Sequence, residues 1–461
     1  MISLKNTILL AGITGTLLSC NTSKQFNREF VSSDRLFGDT IMTDSATIAN
    51  TPWQDLFADR HLQQLIQEGL DHNPDLQIAI QRVIEAEAYY SQGKASLFPS
   101  VTAQGGGGYV RNPETLYPDG PRDVKDFQLN LQASWEADIW GKLRSAKRSA
   151  YANLLAGDAG RKAVQTELIS GIATTYYSLL ALDEQLAITR ETVENNIDLV
   201  ETMKILKNSG QVTGAAVVQT EAVRYAAEVT IPDLEQTIRE TENTLCLLLG
   251  RTPGRIERGS LAGQKSPAVI KTGVPAQLLD NRPDVMQAEY AVMSAYELTN
   301  NARAYFYPAL TITALSGFES TELDQLLDPV AFSANVIGGL TAPIFNKRAN
   351  VTRLKVAKAQ QEEALISFRN VLLNAGLEVN NALGQFNASD KKIVLRQQQL
   401  NALEKSLSYT KELLNYGSAT YTEVLNAQQS LLAAQLNNVN DHLQKLGAVV
   451  SLYRALGGGW K

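Results

Sequence analysis

Few side chains in this 461-residue chain are placed to do chemistry. The three histidines, His61, His72 and His442, stand alone. None lies three or four residues from another His or Cys, the spacing a helix-borne metal site uses. Gly105-Gly106-Gly107-Gly108 is not followed by the Lys-Ser/Thr of a phosphate-cradling loop. No nucleophile motif is present, so the expectation is a protein that is not an enzyme and holds neither metal nor cofactor. Of the two cysteines, Cys246 sits within Leu245-Cys246-Leu247-Leu248-Leu249 and reads as a small buried core residue. Cys20 is different. It follows a short positive region at Lys5, an apolar run from Ile8 to Leu18, and a small residue, Ser19, where an export signal would be cut. Residues 1–19 are therefore expected to be a signal peptide.

Leu17-Leu18-Ser19-Cys20 resembles a bacterial lipobox. The resemblance implies cleavage before Cys20 and lipid on its sulfur and new amino group, so that 20–60 begins the mature chain as a lipidated, extended segment. Asn21, rather than Asp, would not signal retention at the inner membrane. Two or three acyl chains hold a chain firmly at a bilayer. The net charge of −6 leaves no basic footprint, which argues against nucleic acid as a partner.

The elements around these residues come twice. Asn73-Pro74-Asp75-Leu76 leads to Phe98-Pro99; Arg282-Pro283-Asp284-Val285 leads to Tyr307-Pro308. Ala137-Asp138-Ile139-Trp140-Gly141-Lys142 returns as Ala342-Pro343-Ile344-Phe345-Asn346-Lys347, and Gly210-Gln211-Val212-Thr213 as Gly417-Ser418-Ala419-Thr420. The offsets are 209, 205 and 207, so the copies differ by small insertions. A first repeat over 61–250, a linker over 251–273 and a second repeat over 274–461 follow. Each copy reads as a helix, two strands and two long helices.

Phe127-Gln128-Leu129-Asn130-Leu131-Gln132-Ala133-Ser134-Trp135 is the most telling strand. Phe127, Leu129, Leu131, Ala133 and Trp135 are apolar, and the alternate positions are polar but uncharged. A membrane-crossing strand needs about 9–11 residues, with one lipid face, one wet face and aromatic ends. A half-buried strand of a soluble sheet is the other reading, though its polar face would usually carry charge. Weaker strands are expected at 101–109, 310–317 and 332–340. Four strands cannot close a membrane barrel, and open edges in lipid cost several kcal/mol per unpaired group. Membrane strands would thus require several chains.

From Lys142 to Asn208, and from Lys347 to Asn415, the chain lacks proline, and each stretch allows roughly 100 Å of helix at 1.5 Å per residue. After Gly210 and Gly417 the helices turn back. Leu425, Leu432, Leu436, Val439, Leu443, Leu446, Val450 and Tyr453 step in sevens, fours and threes, the seam of a coiled coil. An ordinary long antiparallel coiled coil remains open on the helices alone.

In order and spacing, these segments resemble the TolC-like outer-membrane efflux proteins, in the lipoprotein branch serving resistance-nodulation-division (RND) pumps. Residues carrying the resemblance include Trp53, Leu56, Phe57, Trp135 to Lys142, Ile231-Pro232-Asp233-Leu234-Glu235, Leu248-Leu249-Gly250, Arg282-Pro283-Asp284 and Pro343-Ile344-Phe345-Asn346. The fold so implied is mainly α with a membrane β-barrel part. An internally duplicated unit of helix, β-hairpin and long helical hairpin would assemble as a homotrimer. Its 12-stranded outer-membrane β-barrel would continue into a periplasmic α-helical barrel, with 251–273 in an equatorial belt.

The implied function is a passive conduit that receives drugs, metals or other small molecules from a periplasmic adaptor and an inner-membrane RND pump. The alternatives are the exit duct of an ABC-driven protein secretion system and a lipid-anchored periplasmic scaffold without a pore. In the resembled family the tunnel closes at the helix turns farthest from the membrane. Gly210 and Gly417 would then mark the adaptor-docking tips, and Tyr421, Glu423 and Asn426 would be the candidate gate. Asn426 stands where the family pattern has a second carboxylate.

Overall fold

The computed structural model describes residues 36, 46–113, 115, 121–265, 272–273 and 275–461. Each repeat contributes one helix–hairpin–helix–helix series. In the first, α1 (Arg60–His72) and α2 (Pro74–Ala95) precede strands β1 (Ser100–Arg111) and β2 (Asp123–Ala137). Then come α3 (Lys142–Asn208), α4 (Gly214–Glu228) and α5 (Thr230–Leu248). In the second, α6 (Pro283–Ala304), β3 (Ala309–Ser320), β4 (Phe332–Thr341), α7 (Ala349–Asn415) and α8 (Tyr421–Ala455) follow in the same order. The helices α2 and α6 both have 22 residues, and α3 and α7 both have 67. Among the described residues, the counterpart of α1 is a 3-10 turn at Pro275–Gln277 that runs into one helical turn, Leu278–Asn281. Pro232 accounts for the break between α4 and α5. It lies in the first turn of α5, where a missing N–H costs nothing, but it cannot donate to the carbonyl of residue 228 that a continuous helix would offer.

The chain divides into two compact units whose boundaries fall inside helices. One comprises Arg82–Asp158 and Gln287–Arg369; the other takes the described residues up to Gln81, with Ala159–Met286 and Asn370–Lys461. Both units draw on both repeats, so the duplication is a unit of sequence and not of packing. The reason in the first unit is strand pairing. All four strands form one antiparallel sheet in the order β1-β2-β3-β4, and the central pair, β2 with β3, joins the two copies.

The strands outrun their alternating segments. Pairing carries β1 to Arg111, opposite Asp123, and β3 to Ser320, beyond the Phe318–Phe332 pair. The connections between paired strands are therefore shorter than strands ending at 109 and 317 would leave. α7 begins at Ala349 instead of Lys347, because Lys347 and Arg348 adopt left-handed φ values of 53° and 67°. Gly141 meets the same requirement in the first copy, at φ 76°. The segment before α1 is not wholly extended. Thr47 caps a short turn at Ile48–Asn50, and Trp53–Leu56 forms another.

In the second unit, Leu62 and Ile66 of α1, Ile169, Ile172, Tyr176 and Leu180 of α3, Leu245 and Leu249, and Val450 and Tyr453 of α8 form the main core. Cys246 lies in it, its thiol facing the Gly254 carbonyl oxygen at 3.4 Å. The heptad positions of α8 named above are all buried or half-buried, and so are Leu400, Leu403, Leu407, Thr410 and Leu414 of α7. Burial of that stripe, and not the helix propensity of an Asn/Gln-rich surface, is what holds helices of this length.

The linker is pinned electrostatically. Arg258 pairs with Asp183 (Nη2–Oδ1 2.9 Å) and with Glu242, and these bonds hold its guanidinium pKa well above the usual arginine range. Asp59 accepts from Tyr176 and Gln264, both at 2.7 Å, while Tyr176 also takes the Gly259 N–H.

Candidate membrane-spanning sheet and helical tip

Register decides what the sheet can face, because directly opposed residues point to the same side. Leu131 opposes Ala103 on β1 and Ser316 on β3; Leu129 opposes Gly105 and Phe318; Trp135 opposes Ile312. On β4 the same side continues with Leu340, Gly338, Val336, Ala334 and Phe332. One face of all four strands is therefore apolar or small across the central rows. The other carries Thr102, Gln104, Asn130, Gln132, Ser134, Thr313, Ser333 and Asn335, with Leu315 and Ile337 among them; charge enters only in the flanking rows, at Glu319 opposite Gln128 and Glu136 opposite Thr311. Phe127, Leu129, Leu131, Ala133 and Trp135 all fall on the apolar face, and none of them is buried. Nine residues of strand span roughly 26 Å at about 3.3 Å each, close to the apolar band of an outer-membrane barrel.

Aromatic side chains mark one end of this band. The Trp135 indole donates to the Leu97 carbonyl (2.9 Å), and Trp140 donates to the Pro308 carbonyl (2.7 Å) while stacking on Tyr307 with centroids 4.8 Å apart. Lys142 reaches Glu136 (2.6 Å) and lies over the Tyr305 ring, which Arg353 also covers. A cavity of about 260 Å³ runs beneath these residues, lined by Trp140, Lys142, Tyr305, Tyr307 and Asn350 among others. Rings with one apolar and one wet side, beside cations, suit a membrane–water boundary. Asp138 closes the junction by accepting from the backbone N–H groups of Leu143 (3.0 Å) and Arg144 (2.8 Å) at the start of α3. At the other end, Tyr109 donates to Asp123 and Lys125 pairs with Glu322, both in solvent.

The sheet is open on both sides. β1 and β4 each bond one neighbour, and their outer backbone edges have no partner strand among the described residues. In lipid, such edges demand closure by further strands.

The helical tips lie in the second unit. Gly210 and Gly417 end α3 and α7 at φ 77° and 68°, with nothing within 4 Å of where a side chain would begin. The same pair of backbone bonds closes each end: Gln211 N–H to Leu206 O and Gly210 N–H to Lys207 O, then Ser418 N–H to Leu413 O and Gly417 N–H to Leu414 O. Leu199, Met203, Val217, Val424 and Leu425 pack the two turns against each other. The Tyr421 hydroxyl bridges them, 3.1 Å from Gln219 Oε1.

Glu423 has a local task that its spacing also encodes. Its carboxylate accepts from the Thr420 N–H (2.7 Å), and its own N–H reaches the Thr420 hydroxyl, a reciprocal cap on α8. Thr213, the equivalent residue before α4, makes no such bond. Asn426 is exposed one turn further along α8. Cys20 lies outside the described residues. Among those described, no helix is long and apolar enough to cross a membrane, and no cluster of His, Cys, Asp or Glu could hold a metal ion.

Arg282 is the residue whose role spacing alone does not reveal. It is 6% exposed and pairs bidentately with Asp284 and with Glu378 (2.8 Å), and it donates to the last-turn carbonyl of α8, Ala455 O (2.9 Å). Asn73 does the equivalent in the first copy, donating to Leu248 O (2.9 Å) and capping α2 through the Leu76 N–H. Only the alignment of the two copies could have pointed to this shared task.

Comparison with known proteins agrees with this geometry. The profile of the outer membrane efflux protein family matches residues 65–251 and 274–458. The cation efflux system protein CusC of Escherichia coli is 28% identical over 96% of this chain and 97% of its own length. The pyoverdine export outer membrane protein OpmQ of Pseudomonas putida is 31% identical over 89% of this chain and 88% of its own. A crystal structure of CusC superposes with a TM-score of 0.86 at 27% identity, covering 95% of this chain and all of that one. The duplicated sequence, the two-faced sheet and these likenesses converge: this chain belongs to the outer membrane efflux protein family.

Proposed function

We propose that the chain is the outer-membrane conduit of a tripartite efflux system, assembled as a homotrimer. The observation that carries this reading is the four-stranded sheet, apolar or small on one face, mostly polar and free of charge in the central rows of the other, and open at both edges. Three copies would supply 12 strands of a closed barrel, with the apolar face to lipid and the polar face to a wet lumen. The 67-residue helices would extend the duct into the periplasm. Cys20 would carry the lipid that anchors the mature N-terminus. The tips at Gly210 and Gly417 would meet a periplasmic adaptor joined to an inner-membrane RND pump. Tyr421, Glu423 and Asn426 would line the constriction, where three Glu423 carboxylates focus a cation-attracting field.

The cargo is a small solute. Relatives named for cation efflux and for pyoverdine export support a shared duct whose selectivity resides in its pump. The test is conductance. Purified protein in a planar bilayer should give cation-selective channels of low conductance, and Glu423→Gln should reduce the selectivity. Absence of any conductance, for wild type and for a variant with the gate residues replaced by Ala, would overturn the conduit reading.

A further inference from the structure

A cavity in the helical part of the chain has the walls of a small-molecule site. It holds about 200 Å³ between α3, the end of α4 and α8, all within one compact unit. Val223 and Ala227 of α4 and Leu432 of α8 make its walls apolar, while Asn196 of α3 and Gln428 of α8 bring two amides to it. These amide residues are 2% and 8% exposed, yet Asn196 Oδ1 and Gln428 Oε1 have no hydrogen-bond partner among the described residues. We infer that this cavity binds a small uncharged amphiphile, with an apolar body of about the size of a benzene ring and a hydroxyl group that donates to Asn196 Oδ1 or Gln428 Oε1.

The lining selects that class. A buried acceptor left unpaired is costly, so the cavity favours an occupant that donates. The threonines beside it cannot answer that need. Thr189 and Thr192 spend their hydroxyl protons one turn back, on Gln185 O (2.8 Å) and Ile188 O (2.9 Å), and Thr230 spends its own on Ala227 O (2.8 Å). No charged side chain lines the cavity among the described residues, so an ion would lose its hydration with no counter-charge beside it. Water alone fits poorly too. A buried water needs about two to four polar partners, and two amide oxygens on apolar walls cannot supply several waters. The size also agrees, since an apolar cavity of about 150 Å³ takes benzene.

Asn196 lies 14 residues before Gly210, and Gln428 lies 11 residues after Gly417. At 1.5 Å per residue the cavity is roughly 20 Å from the helical tips. It also borders the α4–α5 break, through Ala227 and Thr230. An occupant touches three helices there and braces the break against α8. The site is built within one chain and stands whether or not the chain conducts.

The probe is 4-bromophenol, with 4-bromotoluene as the isostere that lacks the donor. Crystals of the full-length protein soaked in 4-bromophenol should show a bromine anomalous peak in the cavity, and 4-bromotoluene a weaker one. In solution, 4-bromophenol should slow amide exchange over 223–230 and 425–436. Its half-maximal effect should come at about tenfold lower free concentration than that of 4-bromotoluene, the worth of one hydrogen bond to an unpaired buried acceptor. Asn196→Leu should shrink that ratio, and Asn196→Leu combined with Gln428→Leu should abolish it. A peak elsewhere, equal effects of the two probes on the wild type, binding at crystal concentration only, or a preference that survives in folded protein carrying both substitutions would each overturn the assignment.

Discussion

Neighbouring residues on β2 have opposite tolerances. Leu131 faces the apolar side of the sheet and Gln132 the polar side. An arginine at the midplane of a lipid-facing position costs about 2–4 kcal/mol, but a lumen-facing one stays hydrated. Leu131→Arg should therefore cut the amount of heat-resistant oligomer in outer-membrane fractions severalfold, and Gln132→Arg should leave it near wild type. Equal loss from both would mean the faces are wrongly assigned. Asp59 offers a second residue-scale test. Burial raises its pKa, but the bonds from Tyr176, Gln264 and the backbone of His61 and Leu62 outweigh burial and hold it below 3.8. Its carboxylate thus stabilises the fold above pH of about 4, and that contribution is lost as pH falls through the lower folded-state value. Asp59→Asn should be less stable than wild type near neutrality, and the gap should close on acidification below pH of about 4. Melting curves by circular dichroism across that range would show whether it does.

At the scale of elements, the two copies solve the same closure problem with different chemistry. Asn73 and Arg282 each donate to the last-turn carbonyl of the helix that ends their repeat, but only Arg282 also gathers two carboxylates. Its side chain is 8% exposed, while those of Asp284 and Glu378 are 41% and 39% exposed. Arg282→Met should destabilise by about 1–3 kcal/mol, the cost of an unpaired buried carbonyl. The loss should fall short of the roughly 3–5 kcal/mol of a fully buried broken pair, because both carboxylates can rehydrate. Denaturant titration measures the difference. Thr420→Val removes one half of the reciprocal cap and should cost about 1 kcal/mol. Faster amide exchange should be confined to the first turn of α8, and Thr213→Val should leave the start of α4 unchanged. The long helices were legible because proline and turn residues are missing from them and because Gly210 and Gly417 punctuate their ends. The α4–α5 break was not, since a proline in a first turn leaves the surrounding composition helical. Strand ends escaped because Tyr109, Val110 and Arg111 lose the alternation; their extent is set by partners on β2. Arg282 was hidden because its carbonyl partner lies 173 residues away.

For the whole molecule, stoichiometry follows from the sheet and the need for a lumen. On the proposed reading the four strands cross the membrane, and a chain with two open edges would then make barrels of four, eight, twelve or more strands. One copy leaves both edges unpaired in lipid, at several kcal/mol for each exposed backbone group. Two copies make eight strands, whose interior is only wide enough for its own side chains. Gln104, Gln128, Asn130 and Gln132 on the polar face would fill such a barrel and block it. Twelve strands are the first multiple of four that closes both edges and leaves an aqueous path. The glycines and small residues that crowd β1 fit a wall, not a plug. Native mass spectrometry of the detergent-extracted mature protein should therefore give three copies, unchanged on dilution. Because each copy's edge strands are satisfied only by its neighbours, dissociation and loss of β structure should occur together on heating, with no folded monomer between them. A stable monomer with intact β signal would show that one chain can seal its own edges. The need for a partner and the conduit would both fall with that result.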